Sequence, residues 1–180
     1  MGKYKVMVLL VIFLSGYNLV FSQEGRDMAD IRDQYFKALY DEDVALELLD
    51  HFSANEKDDA VWKAYHGGIH AVMCLHTGNP FKRGKLIKEA QILIEQAVVD
   101  SPSNTEIRFM RFAVESQLPK FLGKSKNLVE DASFLGKKLL EDDISHLSLD
   151  ARLYIVKILK DYGKIEKEQL LLIEERMLSS

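Results

Sequence analysis

Cysteine is nearly absent from this chain: Cys74 is the only one in 180 residues. One thiol cannot close an internal disulfide, so the fold must rest on a core that stands without staples. The apolar neighbours Val72, Met73 and Leu75 predict that Cys74 is buried rather than left reactive. Proline is scarce too, and Pro80, Pro102 and Pro119 each fall where a helical pattern breaks. Alternating runs of β-branched residues are missing, which removes the sheet classes. A nucleophile elbow, a phosphate-cradling glycine loop, a dinucleotide fingerprint and paired Cys-x-x-Cys motifs are all absent. The acidic runs Asp41-Glu42-Asp43 and Glu141-Asp142-Asp143 lack the spaced oxygen ligands and central glycine of a calcium loop. No cofactor is expected.

The longest apolar stretch lies at the start of the chain. Lys3 and Lys5 precede nine apolar residues, Val6 to Leu14, and small residues lead to Val20 and Ser22. A positive start, a short apolar run and small residues before a cleavage point predict a secretory signal peptide over residues 1–22. The run is too short for a membrane span, which takes about 20 such residues. No stable span is expected after cleavage, and the mature product is expected to be exported, periplasmic or extracellular. Residues 23–180 then form a single domain of 158 residues. A domain of that size buries roughly 68–70% of its unfolded surface, enough for one core.

Charge is distributed in blocks. Residues 23–80 carry five basic and twelve acidic side chains, residues 81–138 eleven and seven, and residues 139–180 six and nine. The acidic–basic–acidic order predicts segments that attract one another, and no block is basic enough to suggest nucleic acid as a partner.

Leu, Ala, Lys and Glu dominate, with apolar residues recurring at three- and four-residue spacing, so the chain reads as all-α. About eight helices are expected: Arg26–Tyr40; one behind the Asp41/Asp43 cap; Asp58–Leu75; Arg83–Val99; one opened by a Ser103/Glu106 capping box; Leu122–Leu140; Leu147–Asp161, stopped by Gly163; and Ile165–Met177. Short connections make consecutive helices antiparallel hairpins. On the third helix Val61, Trp62, Tyr65, Ile69, Val72 and Met73 share an arc of about 120°, while Ala60, Ala64, Gly67 and Ala71 form a second, small-residue arc. Such a helix packs on two sides. On the fourth, Leu86, Ala90, Leu93 and Ala97 form one stripe with Ile94 and Val98 beside it. The aromatics Trp62, Tyr65, Phe109, Phe112, Phe121 and Phe134 are expected in the core.

Three groups of side chains are candidates for function. His66 and His70 lie four apart on one helix face, a spacing that lets two imidazoles grip one metal. The segment His-Gly-Gly-Ile-His lacks the glutamate of a zinc-protease helix. Cys74 sits about 12 Å from His66 along the axis, beyond the reach of a shared ion. Arg108, Arg111 and Glu115 share a face; two guanidiniums there could clamp a carboxylate or phosphate, while Arg111 and Glu115 also have the spacing of an intrahelical ion pair. Lys82, Arg83, Lys85 and Lys88 crowd the start of the fourth helix, where the helix dipole favours acidic groups instead. That inversion suits a contact with an acidic partner, or with the acidic first third of the chain.

Ala90, Ile94, Ala97 and Pro102 have the spacing of the second helix and closing proline of a tetratricopeptide repeat, with Gly78 and Phe81 at positions of its first helix. The chain resembles a degenerate tetratricopeptide-like array of stacked hairpins. Through the run Asn104 to Arg111 it also resembles small exported bacterial proteins of unknown function. These likenesses imply a helical fold and export, and no activity. The function expected is an exported, non-catalytic module that binds another protein or peptide, with Lys82, Arg83, Lys85, Arg108 and Arg111 as candidate contacts. The alternative is a metal-binding protein or metal-dependent enzyme using His66 and His70.

Overall fold

Six helices start at a side-chain oxygen that captures the free amides of the first turn, the groups a helix cannot satisfy itself. In the computed structural model, which describes residues 27–118, 125–141, 145 and 147–179, eight helices are present and no strand occurs. They are α1 (Met28–Ala38), α2 (Glu42–Ala54), α3 (Ala60–His76), α4 (Pro80–Asp100), α5 (Thr105–Gln117), α6 (Ser125–Glu141), α7 (Leu149–Tyr162) and α8 (Lys167–Ser179). The all-α expectation holds. No helix among the described residues is long and apolar enough to cross a membrane. The expected signal peptide, residues 1–22, lies outside the described residues, as do Phe121, Asp142, Asp143 and the expected start of α6 at Leu122.

Caps set several boundaries where the pattern alone misplaced them. Asp27, Asp41 and Asp59 cap α1, α2 and α3, and Ser148 caps α7. Asn79 accepts from the amides of Phe81 (2.9 Å) and Lys82 (3.2 Å), so α4 begins at Pro80, three residues before the expected Arg83. Proline is at home there, because the first-turn position needs no amide donor. The Ser103/Glu106 capping box does not form. Asn104 caps α5 through the Ile107 amide (3.0 Å), and Glu106 is taken by other partners. Asn104→Ala is therefore expected to cost about 1 kcal/mol, and Ser103→Ala less than about 0.5 kcal/mol. Urea titration of the two variants checks the order. Gly163 ends α7 in the left-handed region (φ 66°), as its position after the apolar pattern predicts.

Sequence neighbours pack as pairs, α1 with α2, α3 with α4, α5 with α6 and α7 with α8. Helix α3 also meets α1, α2 and α5, so it is the centre of the first half. Its Trp62, Tyr65, Ile69, Val72 and Met73 are buried with Phe52, Leu48, Ile31 and Ile107. The second half of the core gathers Phe112, Leu135, Ile155, Leu159 and Ile173 from α5 to α8. Two adjacent glycines explain how α3 is approached from both sides. A Cβ on Gly67 would lie 2.7 Å from Ile94 Cγ1 and 2.9 Å from the Ala90 carbonyl oxygen on α4. One on Gly68 would lie 2.8 Å from Met110 Sδ on α5 and 3.0 Å from Tyr35 on α1. A polar tie joins the same elements: the Arg32 guanidinium donates to both oxygens of Glu106 (2.6 and 2.9 Å), which also accepts from the Tyr65 hydroxyl (2.6 Å).

Candidate functional site

The arginines singled out by sequence are buried. Arg108 and Arg111 are each 6% exposed on α5, and both face Asp131 of α6, which is 0% exposed. Arg111 donates to Asp131 through Nε (2.8 Å) and Nη2 (2.8 Å), a two-point fork. Arg108 donates Nε to the same carboxylate, Nη2 to Glu130 (2.7 Å) and Nη1 to the Pro102 carbonyl (3.1 Å). Its guanidinium carbon also sits 4.5 Å from the centre of the Phe134 ring. Hydrogen bonding to Asp131 drives the Arg111 pKa above its already high value. Glu115 is drawn to Asn127 Nδ2 (2.9 Å), which donates to Glu95 as well (3.0 Å). Burial pushes the Glu115 carboxyl upward in pKa, against the Asn127 hydrogen bond. The pattern Arg108/Arg111/Glu115 is thus an interhelical ion network that fastens α5 to α6 and α4.

Sequence reasoning missed Asp131, the hub of that network. A signal was present: Asp131 sits in the stripe Leu128, Ala132, Leu135, Leu139 that α6 turns inward. A carboxylate inside an apolar stripe demands a buried cation.

The four basic residues at the start of α4 are exposed, and two of them, Arg83 and Lys88, line a groove of about 730 Å³. Its walls come from five helices: Tyr35 of α1 with Leu39 just past its end, Val72 and Leu75 of α3, Ile87 of α4, Val114 of α5 and Tyr154 of α7. Lys82 and Lys85 are on the same helix but do not line it. The side-chain amides of Gln91 and Gln117 are its uncharged polar groups apart from the tyrosines and a thiol. Arg83 Nε donates to the Thr77 carbonyl (2.7 Å), which steadies the guanidinium. Cys74 is half-buried and reaches the groove, so its expected burial is only partial. Desolvation raises the pKa of its thiol, with Arg83 opposing. Large apolar side chains are exposed at this corner, Leu75 at 63% and Phe81 at 88%. No sequence period could reveal the groove, because its walls are brought together only by tertiary packing, α3 against α1, α4 and α5, and α7 against α1 and α5.

His66 and His70 are brought together as a stack. Their ring centres are 5.1 Å apart at 25°, and His66 lies flat on Phe52 (5.3 Å, 6°). Nitrogen lone pairs lie in the plane of an imidazole ring, so stacked rings aim them side by side instead of converging on one ion. His70 Nδ1 lies 3.3 Å from Glu89 Oε2. Among the described residues no group of three or more His, Cys, Asp or Glu side chains forms a metal-binding cluster.

Burial, reinforced by the neighbouring His70, pulls the His66 pKa down from 6.5 to about 4, and burial lowers that of His70. The unfolded chain then takes up protons before the folded chain does, so acid favours unfolding. Stability is expected to fall as pH drops from about 6.5 toward 4, and this contribution levels off once His66 protonates in the fold as well. Melting temperatures from pH 7 to pH 4.5 test this. The His66→Gln/His70→Gln double variant should show a shallower decline than the parent, and parallel curves would refute the assignment.

Compared with protein-family models, curated proteins and solved structures, the chain matches none.

Proposed function

We propose that this chain is an exported, non-catalytic binding module that receives a segment of another protein in the groove walled by α1, α3, α4, α5 and α7. The groove is the observation that carries the reading. It is open to solvent, walled by apolar side chains, and bordered by Arg83 and Lys88. Its volume falls in the range of about 300–1,000 Å³ typical of binding clefts. Paired helices read as stacked, tetratricopeptide-like antiparallel hairpins suit that role, since such arrays bury their core between neighbours and leave long surfaces free. Lys82, Arg83 and Lys85 remain candidate contacts. Arg108 and Arg111 are better assigned to the scaffold, because their donors are directed at Asp131, Glu130, Glu95 and Pro102.

Affinity capture with the full chain from its native source tests the reading, with an Ile87→Glu variant as control. The expected result is a partner retained by the parent and lost by Ile87→Glu, both chains having the same unfolding midpoint. An identical set of captured proteins would contradict the groove. The metal reading has less support from the stacked imidazoles. Stoichiometric zinc in the purified chain, lost on His66→Ala/His70→Ala, would reinstate it.

A further inference from the structure

The occupant's chemistry is written into the groove's charge and its shortage of hydrogen-bonding groups. We infer that the groove takes an amphipathic helix of the partner, its apolar stripe seated on Ile87, Val114 and Leu75 and its flanking acidic side chains facing Arg83 and Lys88. This deepens, and rests on, the reading of the chain as a protein-binding module.

Charge complementarity argues for the acid. No Asp or Glu lines the groove among the described residues, although acidic residues outnumber basic ones in the chain, 28 to 24. The start of α4 carries Lys82, Arg83, Lys85 and Lys88 with no acidic residue in its first turn. Cations there oppose the helix dipole, a local cost that a bound acidic group reverses. Lys85 lies 3.7 Å from Glu89, whereas Lys82 and Lys88 form no ion pair among the described residues. Among the described residues no ion pair joins these cations to the acidic first third of the chain, whose Asp58 pairs with Lys63 of its own segment.

Backbone hydrogen bonding argues for the helix. An extended peptide laid in the groove would bury amides and carbonyls that need partners, and the walls offer mainly Gln91 and Gln117. Strand addition to a sheet edge is closed to it, since no strand occurs among the described residues. A helix satisfies its own backbone and presents side chains at i, i+3, i+4 and i+7, the mode by which apolar grooves bind helical segments. Leu75, which lines the groove, is itself exposed and carries the apolar surface out to solvent.

Two 18-residue model peptides with the same Leu/Ala stripe test this, one with a glutamate-rich polar face and one with a lysine-rich face. Each is titrated against the full chain by calorimetry, and the reaction rate of Cys74 with an aromatic disulfide reports occupancy. The acidic peptide should bind at least about tenfold more tightly than the basic one, an advantage that shrinks as salt rises. It should also slow the Cys74 reaction severalfold. Arg83→Gln/Lys88→Gln should abolish the preference while the chain keeps its helical circular-dichroism spectrum. Equal binding of the two peptides, or preference for the basic one, would overturn the inference. So would silence from both peptides while hexadecanoate shields Cys74, which would mark an acyl-chain site. If neither peptide binds but capture still depends on Ile87, the helical acidic partner is wrong and the binding-module reading survives. If the acidic peptide binds but capture ignores Ile87, the helix specificity stands and the functional reading fails.

Discussion

Asp131→Ala is expected to destabilise the folded chain by about 3–5 kcal/mol, the cost of leaving buried guanidiniums without their counter-ion. Asp131 has no exposed surface, and it accepts from three guanidinium nitrogens of two arginines that are themselves buried. Removing it leaves both cations facing one another across a carboxylate-sized gap. Glu130 and Glu95 remain nearby, but both are exposed enough for water to weaken their hold. Urea denaturation followed by circular dichroism gives the number. The companion variant Arg108→Met/Arg111→Met/Asp131→Leu should recover most of the loss, since apolar residues of similar volume often replace a buried ion cluster at little cost. A loss below about 1 kcal/mol for Asp131→Ala would show that the network is solvated, and would return the two arginines to the list of partner contacts.

Gly67→Ala is expected to reverse the usual rule. Alanine in place of glycine inside a helix normally stabilises by about 1 kcal/mol. Here the added methyl would meet Ile94 Cγ1 at 2.7 Å, the Ala90 carbonyl oxygen at 2.9 Å and Leu93 Cβ at 3.1 Å. The Ala90 contact is to backbone, so α4 must move away from α3 along their shared face. Overpacking of that kind costs about 1–3 kcal/mol and outweighs the propensity gain. Gly84, in α4, has open space where its Cβ would be. Gly84→Ala should therefore stabilise by up to about 1 kcal/mol. Opposite signs for the two substitutions, measured in one set of urea titrations, would establish the close α3–α4 approach. The same sign for both would show that the helices have room to separate.

Much of the fold was legible because helices announce themselves locally. The apolar arc Trp62, Tyr65, Ile69, Val72 and Met73 is buried as its spacing implies, and the small residues Ala64 and Gly67 are buried as well. Gly163 takes the left-handed turn that its place in the pattern requires. Boundaries were less legible where two capping residues compete. Ser103 and Asn104 both suit a cap, and Glu106 supports Ser103 on spacing alone, yet Arg32 and Tyr65 claim its carboxylate from 74 and 41 residues away. Block charges misled for the same reason. Two arginines of the basic middle segment turn inward, Arg108 and Arg111 meeting Glu95, Glu130 and Asp131 of that very segment. Across segments, Lys63 of the acidic block reaches Asp100 of the basic one, against the expected sense. For the candidate site, the basic cluster on α4 was visible in the sequence and the groove beside it was not. A cluster is a property of seven consecutive residues, but a groove walled by Tyr35, Ile87, Val114 and Tyr154 is a property of tertiary packing.

Site-specific photo-cross-linking tests the central claim most directly, by placing benzoyl-phenylalanine at Ile87 in the groove or at Leu153, exposed on α7 and outside it. Cross-linking in the native source should yield one discrete adduct with another protein from Ile87, suppressed by excess unlabelled chain, and none from Leu153. Adducts of equal yield from both positions, or from Leu153 alone, would contradict the groove as the binding face.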